Sequence, residues 1–393
     1  MTAPQKIRLS SYAIEGLNSF ATVLYFNYLY FFMQDKFGFD NKRNLALAAL
    51  LGLVYTFAAW QAGKFAQQRG YFFALKTGFS IMAVSLAAGL AFSSVPAEIV
   101  AAACVTIGMC FIWPTLEALV SDGETAARLP RAIGIYNVVW AATNALAYFA
   151  GGALKDAFGY RIIFILPMAI VLVQLVLVFW LQHHATEMAR EAPGQPGIVP
   201  PVEQHLPASP LAKTFLKMAW LSNPFAYIAI NTLIALMPGI AARFHLSTML
   251  AGFIGSLWCF VRLGAFVMLW RWEKWHYKFL WLAGSFAILI LSFATILMSP
   301  NLAVLVAAQI FFGGAIGLIY YSSLFYSMDA GDTRGEHGGI HEAAIGAGNC
   351  VGPAIGAAAL QFLPQVEHSG AIAVSALLLC GFGGLLSIWK TAR

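Results

Sequence analysis

One arginine lies inside a long apolar segment of the sequence. Arg262 stands nine residues before Arg271, the next basic residue, so a helix would place it about 13 Å from the charged end of that segment. If the segment crosses a bilayer, an arginine at that depth costs about 2.5–3.5 kcal/mol, and its side chain reaches water with difficulty. Compensation can come from an anionic ligand, which the guanidinium binds through two hydrogen bonds, or from an internal ion pair.

Three carboxylates also interrupt apolar segments. Glu15, Glu117 and Glu342 each stand about one helical turn from a segment end, and each could pair with Arg262. An unpaired carboxylate in low-dielectric surroundings can instead take up and release a proton. We predict these three residues as proton-coupling groups, with an ordinary charge pair near a helix end as the alternative.

A histidine precedes the last of these carboxylates, in Glu336-His337-Gly338-Gly339-Ile340-His341-Glu342. The two glycines disfavour a continuous helix, and the His-Glu-x-x-His spacing of metalloproteases is missing, so we expect no metal site. We interpret His341 as a titratable proton-coupling group near a gate. No Gly-x-x-x-x-Gly-Lys-Ser/Thr motif occurs, and we therefore expect neither ATP nor another cofactor.

Polar and aromatic residues within apolar segments can form the walls of a cavity, because polar groups facing lipid are costly. Tyr25 and Tyr28 are three residues apart and can share one helix face. With Arg262, the predicted substrate-binding residues are Asn27, Tyr25, Tyr28, Asn231, Trp113, Asn137 and Tyr321. Helix packing or an interfacial aromatic belt is the alternative for each aromatic residue.

The composition indicates which elements must position these side chains. Of the 393 residues, 60% are apolar and 10% are charged, against about 45–50% and about 25% in soluble domains. So few charges could not solvate a soluble globule. The five cysteines form no Cys-x-x-Cys pair, which excludes a zinc or disulfide framework of that kind. The net charge of +6 fits anionic lipid better than nucleic acid, so the expected partner is the bilayer.

About 20 apolar residues suffice for a helix to cross the hydrocarbon layer. Twelve such runs are present, which predicts an all-α membrane protein; they cover residues 11–33, 44–62, 72–93, 97–119, 132–154, 161–182, 214–239, 247–270, 278–298, 301–327, 340–362 and 370–389. With the N-terminus inside, sixteen of the 23 lysines and arginines face the cytoplasm and six face outward. We therefore predict a multi-pass inner-membrane protein with both termini cytoplasmic.

A polar segment divides the chain into halves. Residues 183–212 contain six prolines and several charges, and they predict a cytoplasmic linker between six-helix bundles at 1–182 and 213–393. Short matches recur between the halves at offsets of 205 to 207 residues, for example Asn18-Ser19-Phe20-Ala21 with Asn223-Pro224-Phe225-Ala226. These matches predict a duplicated unit.

This organisation resembles the major facilitator superfamily. The loop after the second run reads Gly63-Lys64-Phe65-Ala66-Gln67-Gln68-Arg69-Gly70 and is similar to that superfamily's Gly-x-x-x-Asp-Arg/Lys-x-Gly motif, with glutamine at the acidic and basic positions. The resemblance implies a monomeric twelve-helix transporter with one central site. Helices 1, 4, 7 and 10 would line the path, helices 2, 5, 8 and 11 would flank it, and helices 3, 6, 9 and 12 would face lipid.

The resemblance also suggests gating residues. We predict Arg69, in this loop, and Asp122 and Asp329, which close the fourth and tenth runs, as gating residues. Drug–proton antiporters of the superfamily usually carry an arginine in helix 4 and a Gly-Pro-rich motif in helix 5. The fourth run has no basic residue and the fifth has Gly151-Gly152 without proline, which disfavours the antiporter reading.

The combined prediction is a secondary transporter that moves a small organic solute, an anion such as a carboxylate, by alternating access with proton coupling. The alternatives are an exporter of drugs or amphiphiles with an aromatic cavity, or a neutral sugar carrier. An enzyme is not expected, because no nucleophile and base are arranged for one. A sensor that retains the fold and moves nothing is a further possibility that only a flux measurement separates from a carrier.

Overall fold

The fold consists of long α-helices joined by short loops. The computed structural model describes residues 3–121, 128–191, 209–330 and 336–392, with the side chains of residues 6–121, 128–184, 209–327 and 342–392. Every regular element within these ranges is an α-helix. In chain order the helices are α1 (Ala3–Phe37), α2 (Asn41–Arg69), α3 (Tyr71–Ala91), α4 (Val95–Ser121), α5 (Leu129–Phe158), α6 (Ile162–Glu191), α7 (Pro210–Arg243), α8 (Thr248–Gly255), α9 (Leu257–Arg271), α10 (Phe279–Leu297), α11 (Leu302–Ala330), α12 (Glu336–Phe362) and α13 (Ser369–Thr391).

The predicted all-helical, twelve-crossing architecture is confirmed, with one interruption. The eighth crossing consists of α8 and α9, which are separated at Ser256, whose hydroxyl donates to the Phe253 carbonyl oxygen at 3.0 Å. Ten of the twelve crossings within the described ranges are long and apolar enough to span a bilayer. The other two, α1 and α5, have 35 and 30 residues, and their described residues contain no segment that meets the same measure of apolarity.

Each half is a bundle in which its own helices pack together. In the N-terminal half α1 packs on α5 and α6, and α3 packs on α4 and α6. In the C-terminal half α7 packs on α11, α12 and α13. The predicted linker is shorter than 183–212, because residues 183–191 continue α6 and α7 begins at Pro210. Residues 192–208, which hold most of the prolines, lie outside the described part of the chain.

The two halves meet along α2 with α12, and along α5 with α8 and α9. Glycine allows the first of these contacts. A Cβ atom on Gly52 would overlap the backbone of Asn349 and Cys350, and one on Gly346 would overlap the backbone of Thr56. Small residues let helix backbones approach closely inside a membrane, and here they bring polar side chains of both halves to one cavity.

Candidate functional site

A central cavity lies between the two halves. Its lining comes from α1, α2, α4, α5, α7, α9, α11 and α12, which are crossings 1, 2, 4, 5, 7, 8, 10 and 11. None of the described lining residues belongs to crossings 3, 6, 9 or 12. Nine lining side chains are aromatic, namely Phe26, Tyr30, Tyr55, Trp113, Tyr136, Trp140, Tyr227, Trp258 and Tyr320. The lining also carries one arginine and two glutamates.

The arginine is Arg262, on α9, and it is 2% exposed. Its guanidinium carbon lies 4.3 Å from the ring centroid of Trp140, on α5, and 5.0 Å from that of Trp258, on α9. Its Nε and Nη2 atoms are buried and find no hydrogen-bond partner among the described residues. The indole N–H of Trp258 is also buried without a described partner. These groups place unused N–H donors at the wall of the cavity.

The predicted carboxylates lie near this arginine without pairing to it. Within the described side chains, no ion pair joins Arg262 to Glu15, Glu117 or Glu342. Tyr320 lies close enough to interact electrostatically with Arg262, Glu117 and Glu342 together. The cavity therefore holds one cation and two carboxyl groups at separations longer than an ion pair.

Each carboxyl group has different partners. Glu342, on α12, accepts a hydrogen bond from the Tyr55 hydroxyl, on α2, and this bond joins the two halves. Glu117 lines the cavity, and its carboxyl group has no hydrogen-bond partner among the described residues. Neither group is neutralised by a described cation, and a buried carboxylate without one favours its protonated form or a bound ligand.

Glu15 lies directly behind the cavity wall and is fully buried. Its Oε2 atom accepts from the Tyr136 hydroxyl at 2.9 Å, and its Oε1 atom accepts from the Trp113 indole at 3.2 Å and the Ser19 hydroxyl at 2.7 Å. Since Tyr136 and Trp113 both line the cavity, a change in the protonation of Glu15 would alter two wall residues.

Two predicted amide residues also line the cavity. Asn27 lies on α1, and Asn231, on α7, donates a hydrogen bond to Asn349 on α12. Trp113 is the third predicted residue in the lining besides Arg262. The structure thus brings Arg262, Asn27, Asn231 and Trp113 together with Glu117 and Glu342.

Four of the predicted substrate-binding residues lie outside the cavity. Tyr25 packs against Phe164 of α6 at 5.6 Å between ring centroids, and its hydroxyl finds no described partner. The Tyr28 hydroxyl donates to the Tyr148 carbonyl oxygen on α5. Tyr25 therefore contacts α6 and Tyr28 contacts α5, and neither side chain lines the cavity.

Asn137 and Tyr321 also lie outside the cavity, and in each case the preceding residue lines it. The Asn137 amide donates to the Ile133 carbonyl oxygen at 2.9 Å, and the neighbouring Tyr136 lines the cavity instead. Tyr321 packs on Trp275 at 6.0 Å, and Tyr320 lines the cavity instead. One residue along an α-helix turns the side chain by about 100°, which is enough to exchange these roles.

The structure describes only part of the predicted gating residues and of the histidine predicted near a gate. Asp122 lies outside the described residues, and the side chains of Asp329 and His341 lie outside the described side chains. Arg69 is the exposed last residue of α2 and makes no ion pair with any described residue.

A set of contacts that the sequence did not predict joins the halves at the end of the bundle remote from the chain termini. The Asp156 carboxylate accepts from the backbone N–H of Met249 at 3.0 Å, in the first turn of α8. Lys155 donates to the Thr248 hydroxyl at 2.8 Å, and Lys42 donates to the Gln361 side chain at 2.9 Å. No single residue type or motif signals these pairs, because each depends on how the two halves meet.

Tyr160 supports the same region from the loop between α5 and α6. Its hydroxyl donates to the Asp35 carboxylate, which also lies 3.9 Å from the Lys155 ammonium nitrogen. Burial, together with the hydrogen bond to Asp35 and the charge of that carboxylate, raises the pKa of Tyr160. The hydroxyl therefore keeps its proton at physiological pH and remains a donor.

A membrane bundle of two six-crossing halves around a cavity with charged walls defines a solute transporter rather than an enzyme. Residues 11–353 match the Major Facilitator Superfamily, and the chain belongs to that family. No curated protein matches the sequence.

Solved structures of low sequence identity share the fold. A structure described as giving insight into substrate recognition in proton-dependent oligopeptide transporters is 15% identical with a TM-score of 0.72, covering 99% of this chain and 98% of that chain. The human organic anion transporter MFSD10 (TETRAN) is 13% identical with a TM-score of 0.69, covering 98% and 100%. A bacterial homologue of the human lysosomal transporter Spinster, inward-facing and unoccupied, is 14% identical with a TM-score of 0.66, covering 100% and 96%.

Proposed function

We propose that this protein moves a small organic anion, a carboxylate, together with protons across the inner membrane by alternating access, with both termini in the cytoplasm. The observation that carries the proposal is the buried guanidinium of Arg262, whose Nε and Nη2 atoms have no partner among the described residues. A carboxylate would satisfy these donors and offset the cost of burying the charge. The Trp258 indole offers a further donor in the same wall.

The two cavity carboxyl groups supply the coupling. With Glu117 and Glu342 ionised, the charges of these two groups and Arg262 add to minus one, which repels an anion. With both protonated the sum is plus one, which attracts it. Protonation therefore prepares the cavity for an anion, and release of the anion favours release of the protons. This arrangement supports symport of the anion with protons.

Alternating access requires contacts between the halves that form and break. Tyr55–Glu342 and Arg262–Trp140 each join residues of opposite halves at the level of the cavity. A substrate or a proton that binds there changes a contact between the halves directly, and ligand binding can thus bias which end of the path is closed.

A thermal-shift screen tests the proposal. Wild type and Arg262→Gln in detergent are exposed to succinate, benzoate, phosphate, neutral sugars and aromatic cations. We expect carboxylates to stabilise only the wild type. Arg271→Gln is the matched control, since Arg271 is an exposed residue on the same helix.

The aromatic lining favours a second candidate function, export of aromatic cations, because rings and carboxylates together attract organic cations. In the screen above, cations that stabilise wild type and Arg262→Gln equally would favour that function. Neutral sugars that do so would favour a sugar carrier.

A further inference from the structure

A second cavity lies within the N-terminal half at the end remote from the chain termini. Its walls come from the end of α1, the end of α3, the start of α4 and the loop that leads into α6. The central cavity shares no lining residue with it. A ligand bound in this second cavity would contact none of the described residues that line the central cavity.

The deepest charged group in this cavity is Glu98, in the first turn of α4. Glu98 is 1% exposed, and neither carboxylate oxygen finds a hydrogen-bond partner among the described residues. Lys36 lies within electrostatic reach, but the two form no ion pair. Because an unpaired buried carboxylate is unfavourable, the position calls for a donor with positive charge.

Two cations lie at the outer rim of the cavity. Lys36 and Arg161 are both exposed, and the Arg161 guanidinium has no hydrogen bond or ion pair with any described residue. The Lys36 ammonium lies 4.9 Å from the ring centroid of Phe32. The remaining acid, Asp35, is already engaged by Tyr160. The cavity thus offers one free carboxylate inside and two cations outside, which suits a zwitterion that enters with its positive group first.

Exposed apolar side chains lie close in sequence to the residues that line the cavity. Phe92, Val100, Phe158 and Ile165 are 64%, 61%, 67% and 41% exposed, and each stands one or two residues from a lining residue. Exposed apolar residues at the end of a membrane bundle contact lipid. The cavity therefore lies at the end of the bundle where the helices meet the lipid–water interface.

We propose that the second cavity binds a phosphoethanolamine group, with its primary ammonium against Glu98 and its phosphate between Lys36 and Arg161. The group could belong to the headgroup of a zwitterionic lipid or to a free phosphoethanolamine ester. The three N–H donors of a primary ammonium fit a carboxylate that lacks partners, whereas a quaternary ammonium has none.

The test measures thermal stabilisation of the full chain in detergent by dioleoyl lipids with ethanolamine, choline or glycerol headgroups. Free phosphoethanolamine is tested separately. We expect the ethanolamine lipid to act at a roughly tenfold lower concentration than the choline lipid, because only its ammonium donates to Glu98. Glu98→Gln should abolish this preference, and Arg161→Gln should weaken both lipids alike. Glu367→Gln, an exposed change at the same end of the bundle, should preserve the wild-type pattern.

The free ester distinguishes the source of the ligand. Stabilisation by the lipid alone assigns the cavity to a headgroup, and equal stabilisation by the free ester assigns it to a soluble zwitterion. Equal responses to all three lipids would overturn the proposal, as would an ethanolamine preference that persists in Glu98→Gln. The proposal would also be overturned if the protein showed no headgroup preference and if Glu98→Gln and Lys36→Gln destabilised it non-additively. Lys36 would then be the partner of Glu98. If Glu98→Gln does not fold, Arg161→Gln provides the test. Loss of stabilisation by the ethanolamine lipid in this variant supports the proposal, and an unchanged response contradicts it.

Discussion

The guanidinium of Arg262 lies 4.3 Å above the ring of Trp140, and the two residues belong to opposite halves of the chain. The ring also stacks on Tyr320, with 5.2 Å between centroids. The cation that we assign to substrate binding therefore rests on the other half of the protein. A ligand that draws Arg262 away from this ring would loosen the contact between the halves.

Substitution of Trp140 tests whether its ring positions the Arg262 guanidinium for substrate binding. Trp140→Leu should weaken carboxylate binding roughly fivefold, which corresponds to about 1 kcal/mol of lost cation–π interaction. Trp140→Phe keeps an aromatic face and should lose less. Titration calorimetry with the carboxylate that stabilises the protein most compares the variants. Equal affinity of the Leu variant and the wild type would mean that the ring does not position Arg262.

The charge balance of the cavity predicts how anion binding depends on pH. In the wild type, carboxylate binding should strengthen as pH falls, because protonation of Glu117 and Glu342 removes negative charge from the cavity. Glu117→Gln should bind the anion more tightly than the wild type at pH 8 and show a smaller change with pH. Affinity measured from pH 5 to pH 8 checks both expectations.

Glu273→Gln, an exposed change in the C-terminal half, is the control for this series. Its pH profile should match that of the wild type. Anion binding that weakens toward low pH in the wild type would contradict the coupling scheme, since the cavity would then bind its solute without taking up protons.

The Tyr55–Glu342 hydrogen bond predicts a conformational effect. Tyr55→Phe removes only the hydroxyl that joins α2 to α12, and loss of a buried hydrogen bond costs about 1 kcal/mol. We expect the conformational equilibrium to shift away from the state in which α2 and α12 are in contact. Pulsed EPR distances between spin labels at Ser93 and Glu367, one in each half, measure this shift in a background without the five native cysteines.

Tyr25→Phe is the matched control, because it removes a buried hydroxyl that has no described partner. It should leave the distance distribution unchanged. If Tyr55→Phe behaves like Tyr25→Phe, the hydrogen bond between the halves has no part in setting the conformation.

Asp156, at the end of the bundle remote from the chain termini, predicts a second effect on the distances between the two spin labels. Asp156→Asn weakens the bond from Asp156 to the backbone N–H of Met249 and removes a negative charge from the N-terminal end of α8. This should cost about 1 kcal/mol and shift the equilibrium between closed and open remote ends roughly fivefold. The same pair of spin labels reports the change.

Asp40→Asn provides the comparison for this variant. Asp40 accepts from the Arg43 backbone N–H at 2.8 Å and caps α2 within its own half, at the same end of the bundle. The asparagine keeps an acceptor for this cap and removes only the charge beside the helix start, so it should lower stability by about 0.5 kcal/mol without changing the distances between halves. Equal distance changes in both variants would show that Asp156 acts through general stability.

The fold could be predicted from the sequence because crossing a bilayer imposes long apolar runs with basic residues at their ends. The site was predicted only in part. Hydropathy locates a run to within several residues, whereas a shift of one residue turns a side chain by about 100°. The sequence therefore predicts Tyr25, Asn137 and Tyr321 as lining residues, whereas Phe26, Tyr136 and Tyr320 line the cavity. Contacts between the halves, such as Asp156 with Met249, leave no signal in either segment alone.

Polar side chains explain another limit of hydropathy. The α1 and α5 helices contribute to the cavity wall, with Asn27 and Asn144 among their lining residues, and they are the two crossings in the described part of the chain that lack a segment long and apolar enough to span a bilayer by hydropathy. The property that makes them functional also makes them harder to recognise as spans.

The most direct test of the account is uptake of a labelled carboxylate into proteoliposomes under an imposed pH gradient. The substrate is the carboxylate that gives the largest thermal shift, and the proteins are wild type, Arg262→Gln and Arg271→Gln at matched reconstitution. The account predicts accumulation by the wild type and Arg271→Gln, and uptake at the level of protein-free liposomes for Arg262→Gln. Accumulation by Arg262→Gln equal to the wild type would contradict it.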